Sequence, residues 1–86
     1  MELRHRIFRL LEEREQHGGI GIPTIGEIAE ALGEPLRSVA VVLKSSEAMG
    51  MVVIHRYLGT DEADFTVMLK PPAFIYLEQQ LNSGDR

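Results

Sequence analysis

The stretch from Thr24 to Gly50 constrains the fold more than any other part of the chain, because it spells out two helices in succession with their boundaries. Thr24 followed three residues later by Glu27 is a capping-box pattern, in which each side chain satisfies the other's backbone N–H at a helix start. Ile25, Ile28, Ala29 and Leu32 recur at helical spacing and turn one face toward a core. Gly33 suits the left-handed residue that ends a helix, and Pro35 suits the first turn of the next. Val39, Leu43 and Ser46 continue the inward stripe along the second helix until Gly50 stops it. The boundaries predict helices over 24–33 and 35–49, joined tightly enough to form a helix-turn-helix unit. Ser46 stands where such a stripe normally holds a large aliphatic residue, so a locally loose core is expected there.

The chain around this unit is short. Its 86 residues allow one domain, 1–86, with a core small enough that oligomerisation would help it. The absence of cysteine excludes a disulfide scaffold and zinc sites of the finger or ribbon kind. His5, His17 and His55 are scattered without metal-ligand spacing, so no metal and no cofactor is expected. No apolar run approaches the roughly 20 residues of a membrane span, and the N-terminus is amphipathic rather than signal-like. The expected home is the cytoplasm, with no membrane partner. A net charge of −4 argues against a broad nucleic-acid footprint, though not against a local one.

Residues 1–17 read as a first helix with Leu3, Ile7, Leu10 and Leu11 as its core stripe. Phe8 falls to one side of that stripe, which predicts a second contact, with the C-terminal segment or with another subunit. Arg4, Arg6, Arg9 and Arg14 make this helix the most basic part of the chain, and with Glu2, Glu12, Glu13 and Glu15 nearby they read as a solvated face. His17 to Pro23 is a loop by its three glycines and proline. Within it, Ile20 and Ile22 fit either a short strand covering a sheet edge or two side chains tucked under the domain. Met51–Leu58 and Phe65–Leu69 read as the two strands of a hairpin, 51–69, joined by turn-forming residues that include Asp61, Glu62 and Asp64. Pro71-Pro72 ends the second strand. A last helix over 72–81 has Phe74, Leu77 and Leu81 on one side and Ile75 and Tyr76 elsewhere, so it is apolar on more than one face and predicts burial in a dimer contact. Residues 82–86 are expected to fray.

This order of helix, loop, helix, turn, helix and hairpin resembles the winged helix-turn-helix domain, an α+β class. Pro23-Thr24, then Glu27-Ile28-Ala29 and Leu32-Gly33, is similar to the second helix of LexA-type and related bacterial or archaeal regulators. Leu43 followed by Glu47-Ala48-Met49-Gly50-Met51-Val52 resembles the end of a recognition helix running into the first wing strand. The resemblance covers residues 3–69, and the C-terminal helix resembles an addition found in dimeric regulators of the arsenic-repressor-like family. It implies a transcription regulator whose third helix enters the major groove of double-stranded DNA, with the wing on the backbone or minor groove. On this sequence the contacts would fall to Arg37, Ser38, Val41, Lys44 and Ser45 on the third helix and to Arg56 on phosphate. A homodimer through the C-terminal helix and the first helix is expected.

Two features depart from that pattern. The third helix offers only Arg37 and Lys44 as bases, with Val41 almost opposite the core edge, where an apolar side chain suits a protein partner or a thymine methyl. The wing tip is expected to carry Asp61, Glu62 and Asp64, which would repel phosphate. A protein-interaction module on the same fold, and a structural subunit of a larger assembly, are therefore the alternatives. No paired carboxylates, no nucleophile with a base and no phosphate-cradling loop appear, so catalysis is not expected.

Overall fold

A computed structural model describes residues 2–16 and 21–84, with the side chains of Gln16 and 80–84 excluded. The elements are α1 (Leu3–Gln16), α2 (Ile25–Leu32), α3 (Leu36–Ala48), β1 (Val52–His55), β2 (Thr66–Leu69) and α4 (Pro71–Gly84), with a 3₁₀ turn at Glu62–Asp64. Residues His17–Ile20, the start of the loop read from the sequence, lie outside the described residues, as do the Leu81 side chain, Asp85 and Arg86. The backbone of α4 continues to Gly84, past the end at residue 81 read from the sequence.

Local chemistry sets the helix boundaries. The capping box at α2 is complete: Thr24 Oγ1 accepts from Glu27 N at 3.1 Å, and Glu27 Oε1 accepts from Thr24 N at 3.0 Å. At its other end Gly33 is left-handed (φ 66°), with Gly33 N donating to Glu30 O and Glu34 N to Ala29 O, the Schellman pattern. The end of α3 repeats the device, with Gly50 at φ 76°, Gly50 N bonded to Glu47 O and Met51 N to Ser46 O. Arg6 reinforces the break between α2 and α3, since its Nη2 donates to Leu32 O at 2.9 Å and its Nη1 to Glu34 Oε2 at 2.8 Å. A cation there satisfies an orphan carbonyl and suits the negative end of the helix.

The core is formed by Ile7, Phe8 and Leu11 of α1, Ile25, Ile28 and Ala29 of α2, Val39, Ala40 and Leu43 of α3, Val52, Ile54 and Val67 of the hairpin, and Ala73 and Leu77 of α4. Phe8 is fully buried and meets Tyr76 edge-on, with ring centroids 5.5 Å apart and planes at 78°. The second contact expected of Phe8 is thus the C-terminal helix of the same chain, and Phe8 offers nothing to another subunit. The same pairing sets the rotation of α4. Ala73, Tyr76 and Leu77 turn inward, whereas Phe74 is only half-buried and Ile75 is 56% exposed. Of the inward side read as Phe74, Leu77 and Leu81, Leu77 is buried as expected, Phe74 gives way to Ala73 and Tyr76, and the Leu81 side chain is not described.

Ser46 does not leave a loose core. Its buried hydroxyl donates to Val42 O at 2.8 Å and accepts from Arg4 Nε at 3.2 Å, while Arg4 Nη2 donates to Ser45 Oγ at 3.0 Å. Arg4 and Arg6 are therefore structural ties from α1 to the helix-turn-helix unit, not members of a solvated face.

The hairpin pairs Val52 with Leu69, Val53 with Met68, Ile54 with Val67 and His55 with Thr66. Residues 23–25 cover the outer edge of β2, with Ile25 N donating to Phe65 O at 2.9 Å and Val67 N to Pro23 O at 3.1 Å. The edge cover is thus displaced from the 20–22 stretch, and Ile22 is 47% exposed outside any strand. Both strands are also shorter than the sequence suggests, which leaves Arg56–Phe65 as the wing loop.

Replacing Phe8 by alanine removes the ring that seats α4, and such a truncation costs about 3–5 kcal/mol. Against the roughly 5–15 kcal/mol that stabilises a domain, the variant is expected to lose its cooperative urea transition or to shift it to much lower urea. An unchanged midpoint would show that α4 is not part of the folding unit.

Candidate nucleic-acid interface

The outward face of α3 follows from its inward one. With Val39, Ala40, Leu43 and Ser46 buried, Arg37, Val41, Lys44, Ser45 and Ala48 form a single exposed stripe, and Ser38 is half-buried at its margin. Val41 lies at the centre of the stripe and is 60% exposed. Arg37 and Lys44 sit about two turns apart. The residues expected on α3 are therefore brought together on one surface.

Their electrostatic state is not legible in the sequence. Lys44 Nζ lies 2.6 Å from Glu62 Oε1 of the 3₁₀ turn. Arg56 holds Glu47, at the end of α3, in a two-pronged contact with Nη1–Oε2 at 2.7 Å and Nη2–Oε1 at 2.8 Å. That hydrogen bonding, seconded by charge attraction and opposed by slight desolvation, holds the Glu47 carboxyl below its ordinary range and raises the Arg56 guanidinium. Arg37 makes no ion pair among the described residues. Of the three cations on the face, two are thus already joined to carboxylates of the same chain. Ser45 is engaged from behind by Arg4.

The wing differs from its sequence reading in where its acids lie. Asp61, Glu62 and Asp64 do not form the tip. Asp64 N donates to Asp61 O and Phe65 N to Glu62 O, so the segment coils into the 3₁₀ turn. This turn packs on α2 at Gly26, where a Cβ would stand 3.1 Å from Ala63 O and 3.3 Å from Ala63 Cβ. Glycine is needed there for the close approach. The projecting turn is Tyr57-Leu58-Gly59-Thr60, closed by Thr60 N and Oγ1 on Tyr57 O (3.3 and 2.6 Å), with Gly59 at φ 79° as the third residue of a type II turn demands. Leu58 is fully exposed and Tyr57 half so, with the Tyr57 hydroxyl 3.2 Å from Thr66 Oγ1. The wing tip is neutral and apolar.

Sequence reasoning missed the pairing of Glu47 with Arg56 and of Glu62 with Lys44, and the exposed Leu58. The Arg56–Glu47 pair spans nine residues and a strand, and Lys44–Glu62 depends on the 3₁₀ turn folding back, so neither has a local pattern. Among the described residues no group of three His, Cys, Asp or Glu is placed to hold a metal ion, and no helix is long and apolar enough to cross a membrane. A shallow groove of roughly 100 Å³ between α1 and β2, lined by Leu11, Ile22, Pro23 and Met68, is far below the ~300–1,000 Å³ of ordinary ligand pockets.

No protein-family model and no curated protein matches the chain. Solved structures do share its fold. The A103V mutant of S. aureus MepR is similar with a TM-score of 0.75 and 18% identity, over 95% of this chain and 55% of that one. The S. aureus MepR–DNA complex is similar with a TM-score of 0.68 and 18% identity, over 95% and 55%. NMB1585, a MarR family regulator from Neisseria meningitidis, is similar with a TM-score of 0.62 and 19% identity, over 92% and 53%. The chain thus spans little more than half the length of these proteins, and the LexA-type likeness of residues 23–33 reduces to a shared scaffold. The α+β arrangement of three helices, hairpin wing and C-terminal helix is the winged helix-turn-helix fold.

Proposed function

We propose that the chain is a winged-helix DNA-binding module of a transcription regulator, laying α3 in the major groove of duplex DNA. The observation that carries this reading is the single exposed stripe of α3, with Arg37 and Lys44 about two turns apart and Ser38, Val41 and Ser45 between and beside them. Cations at that spacing anchor to phosphates, hydroxyls reach base edges, and Val41 suits a thymine methyl. Arg56, at the base of the wing, adds a phosphate contact once it leaves Glu47. That MepR, of the same fold, has been solved with DNA supports this use of the fold. The chain acts as a homodimer through the outer face of α4, where Phe74 and Ile75 remain available, beside α1. It works in the cytoplasm without a cofactor and has no catalytic role.

A second reading is favoured by one specific observation. Val41 is exposed at the centre of a face on which Lys44 and Arg56 are already paired with carboxylates, and such a surface suits a protein partner better than a polyanion.

Three measurements test these statements. Fluorescence anisotropy against a random duplex should show weak binding at low salt that fades at moderate salt, and fades further in Arg37→Ala. No binding even at low salt would favour the protein-partner reading. Light scattering should give twice the 9.6 kDa chain mass, and Ile75→Glu should return it to the monomer; a monomer at every concentration would remove the dimer. The third concerns pH. A carboxylate whose folded pKa is lowered stabilises the fold above its unfolded pKa and loses that contribution as pH falls through the folded value. NMR titration of Glu47 should therefore give a midpoint below the ordinary carboxylate range, moving upward in Arg56→Ala.

A further inference from the structure

The two ion pairs on the α3 face are built differently from scattered surface pairs. Glu62 belongs to a turn held against α2 through the close approach of Ala63 to Gly26, so its carboxylate is presented to Lys44 by a fixed support. Glu47 meets both terminal nitrogens of Arg56, the planar two-pronged geometry that a phosphate also takes. Each carboxylate thus occupies the position at which a phosphate oxygen would engage its cation. Asp61, next in the chain to Glu62, is exposed, caps nothing with its side chain and pairs with no cation among the described residues.

We infer that Glu62 and Glu47 are affinity-setting residues of the DNA face, internal stand-ins for phosphate that suppress sequence-independent binding. The inference rests on the DNA reading above. Its physical content is an ion balance. When a free lysine or arginine meets a phosphate, condensed cations leave the DNA and the entropy of their release drives binding. When Lys44 leaves Glu62 for a phosphate, the bared carboxylate gathers a cation of its own, and the net release is largely cancelled. The same holds for Arg56 and Glu47. Contacts to base edges from Ser38, Val41 and Ser45 involve no such exchange. The carboxylates therefore lower the backbone term while leaving base readout in place, which raises the ratio of specific to non-specific affinity.

The test is anisotropy titration of the full chain with a random-sequence duplex at about 50 and 200 mM salt, the range over which phosphate contacts are most visible. Wild type is compared with Glu62→Gln, Glu47→Gln, the double variant, and Asp61→Asn, which removes the same charge beside Glu62 without freeing a cation. Each glutamine variant should bind about fivefold tighter at the lower salt, the equivalent of one surface ion pair. Its log–log salt slope should steepen by about 0.9, so that the fourfold rise in salt costs it roughly 3.5-fold more affinity than wild type. Asp61→Asn should change affinity less than twofold and leave the slope alone, since only long-range charge is altered. If wild type binds but the glutamine variants match Asp61→Asn, the carboxylates do not mask their cations and the inference is overturned while the DNA reading stands. If no variant binds even at the lower salt, including the double one, the DNA reading itself fails and takes the inference with it.

Discussion

The other three helices and β2 all lean on α1 and meet its buried side chains. A chain of 86 residues buries a modest share of its surface, so one helix must do work that larger domains divide among several. Leu11 lines the groove against β2, Phe8 turns toward α4, and Arg4 and Arg6 reach across to the backbone and hydroxyls of α2 and α3. The apolar face is therefore broader than a single stripe because two different layers close on it. Arg4 ties α1 to Ser45 and Ser46 of α3, and Arg6 ties it to Leu32 and Glu34 at the turn between α2 and α3. This is why a serine is tolerated at a core position of α3. Its hydroxyl is satisfied twice, once along its own helix and once from α1.

The same economy governs the face that α3 presents. A domain with net charge −4 and few bases on that face cannot rely on broad attraction to a polyanion. Lys44 and Arg56 are held in place by carboxylates, so their side chains are already partly ordered before any phosphate arrives. Exposed pairs of this kind are worth little, typically less than about 1 kcal/mol, which makes them exchangeable rather than permanent. Holding Glu62 on a turn braced at Gly26 places this acid of the wing beside α3 and leaves the tip to Tyr57 and Leu58. An acidic wing read from composition and an apolar wing tip seen in three dimensions are the same ten residues with one turn folded back.

The parts legible in the sequence are those governed by local rules. The capping box of Thr24 and Glu27, the left-handed glycines at 33 and 50, the stripe Ile25-Ile28-Ala29 and the winged-helix order all follow from interactions within a few residues. So does the exposed side of α3, since naming Val39, Leu43 and Ser46 as buried leaves Arg37, Val41, Lys44 and Ser45 outside. The parts that were not legible depend on partners far apart in the chain. The rotation of α4 is decided by the Tyr76 ring on Phe8, not by its own periodicity, which is blurred because Phe74, Ile75, Tyr76 and Leu77 are all apolar. Likewise the role of Arg4 is fixed by a serine 42 residues away, and no pattern in the first helix distinguishes it from Arg9, which stays exposed.

These long-range ties run through α1 from one end of the domain to the other. Arg4 lies one turn from Phe8 on α1, and its guanidinium ends on Ser45 and Ser46. Phe8 in turn bears on Tyr76 of α4. Tyr76, Phe8 and Arg4 thus form one continuous line of contacts from α4 through α1 to Ser45 and Ser46 of α3. Arg4 ties two neighbouring hydroxyls of α3, one buried and one exposed, to α1, and the exposed one is oriented by the same guanidinium that satisfies the buried one.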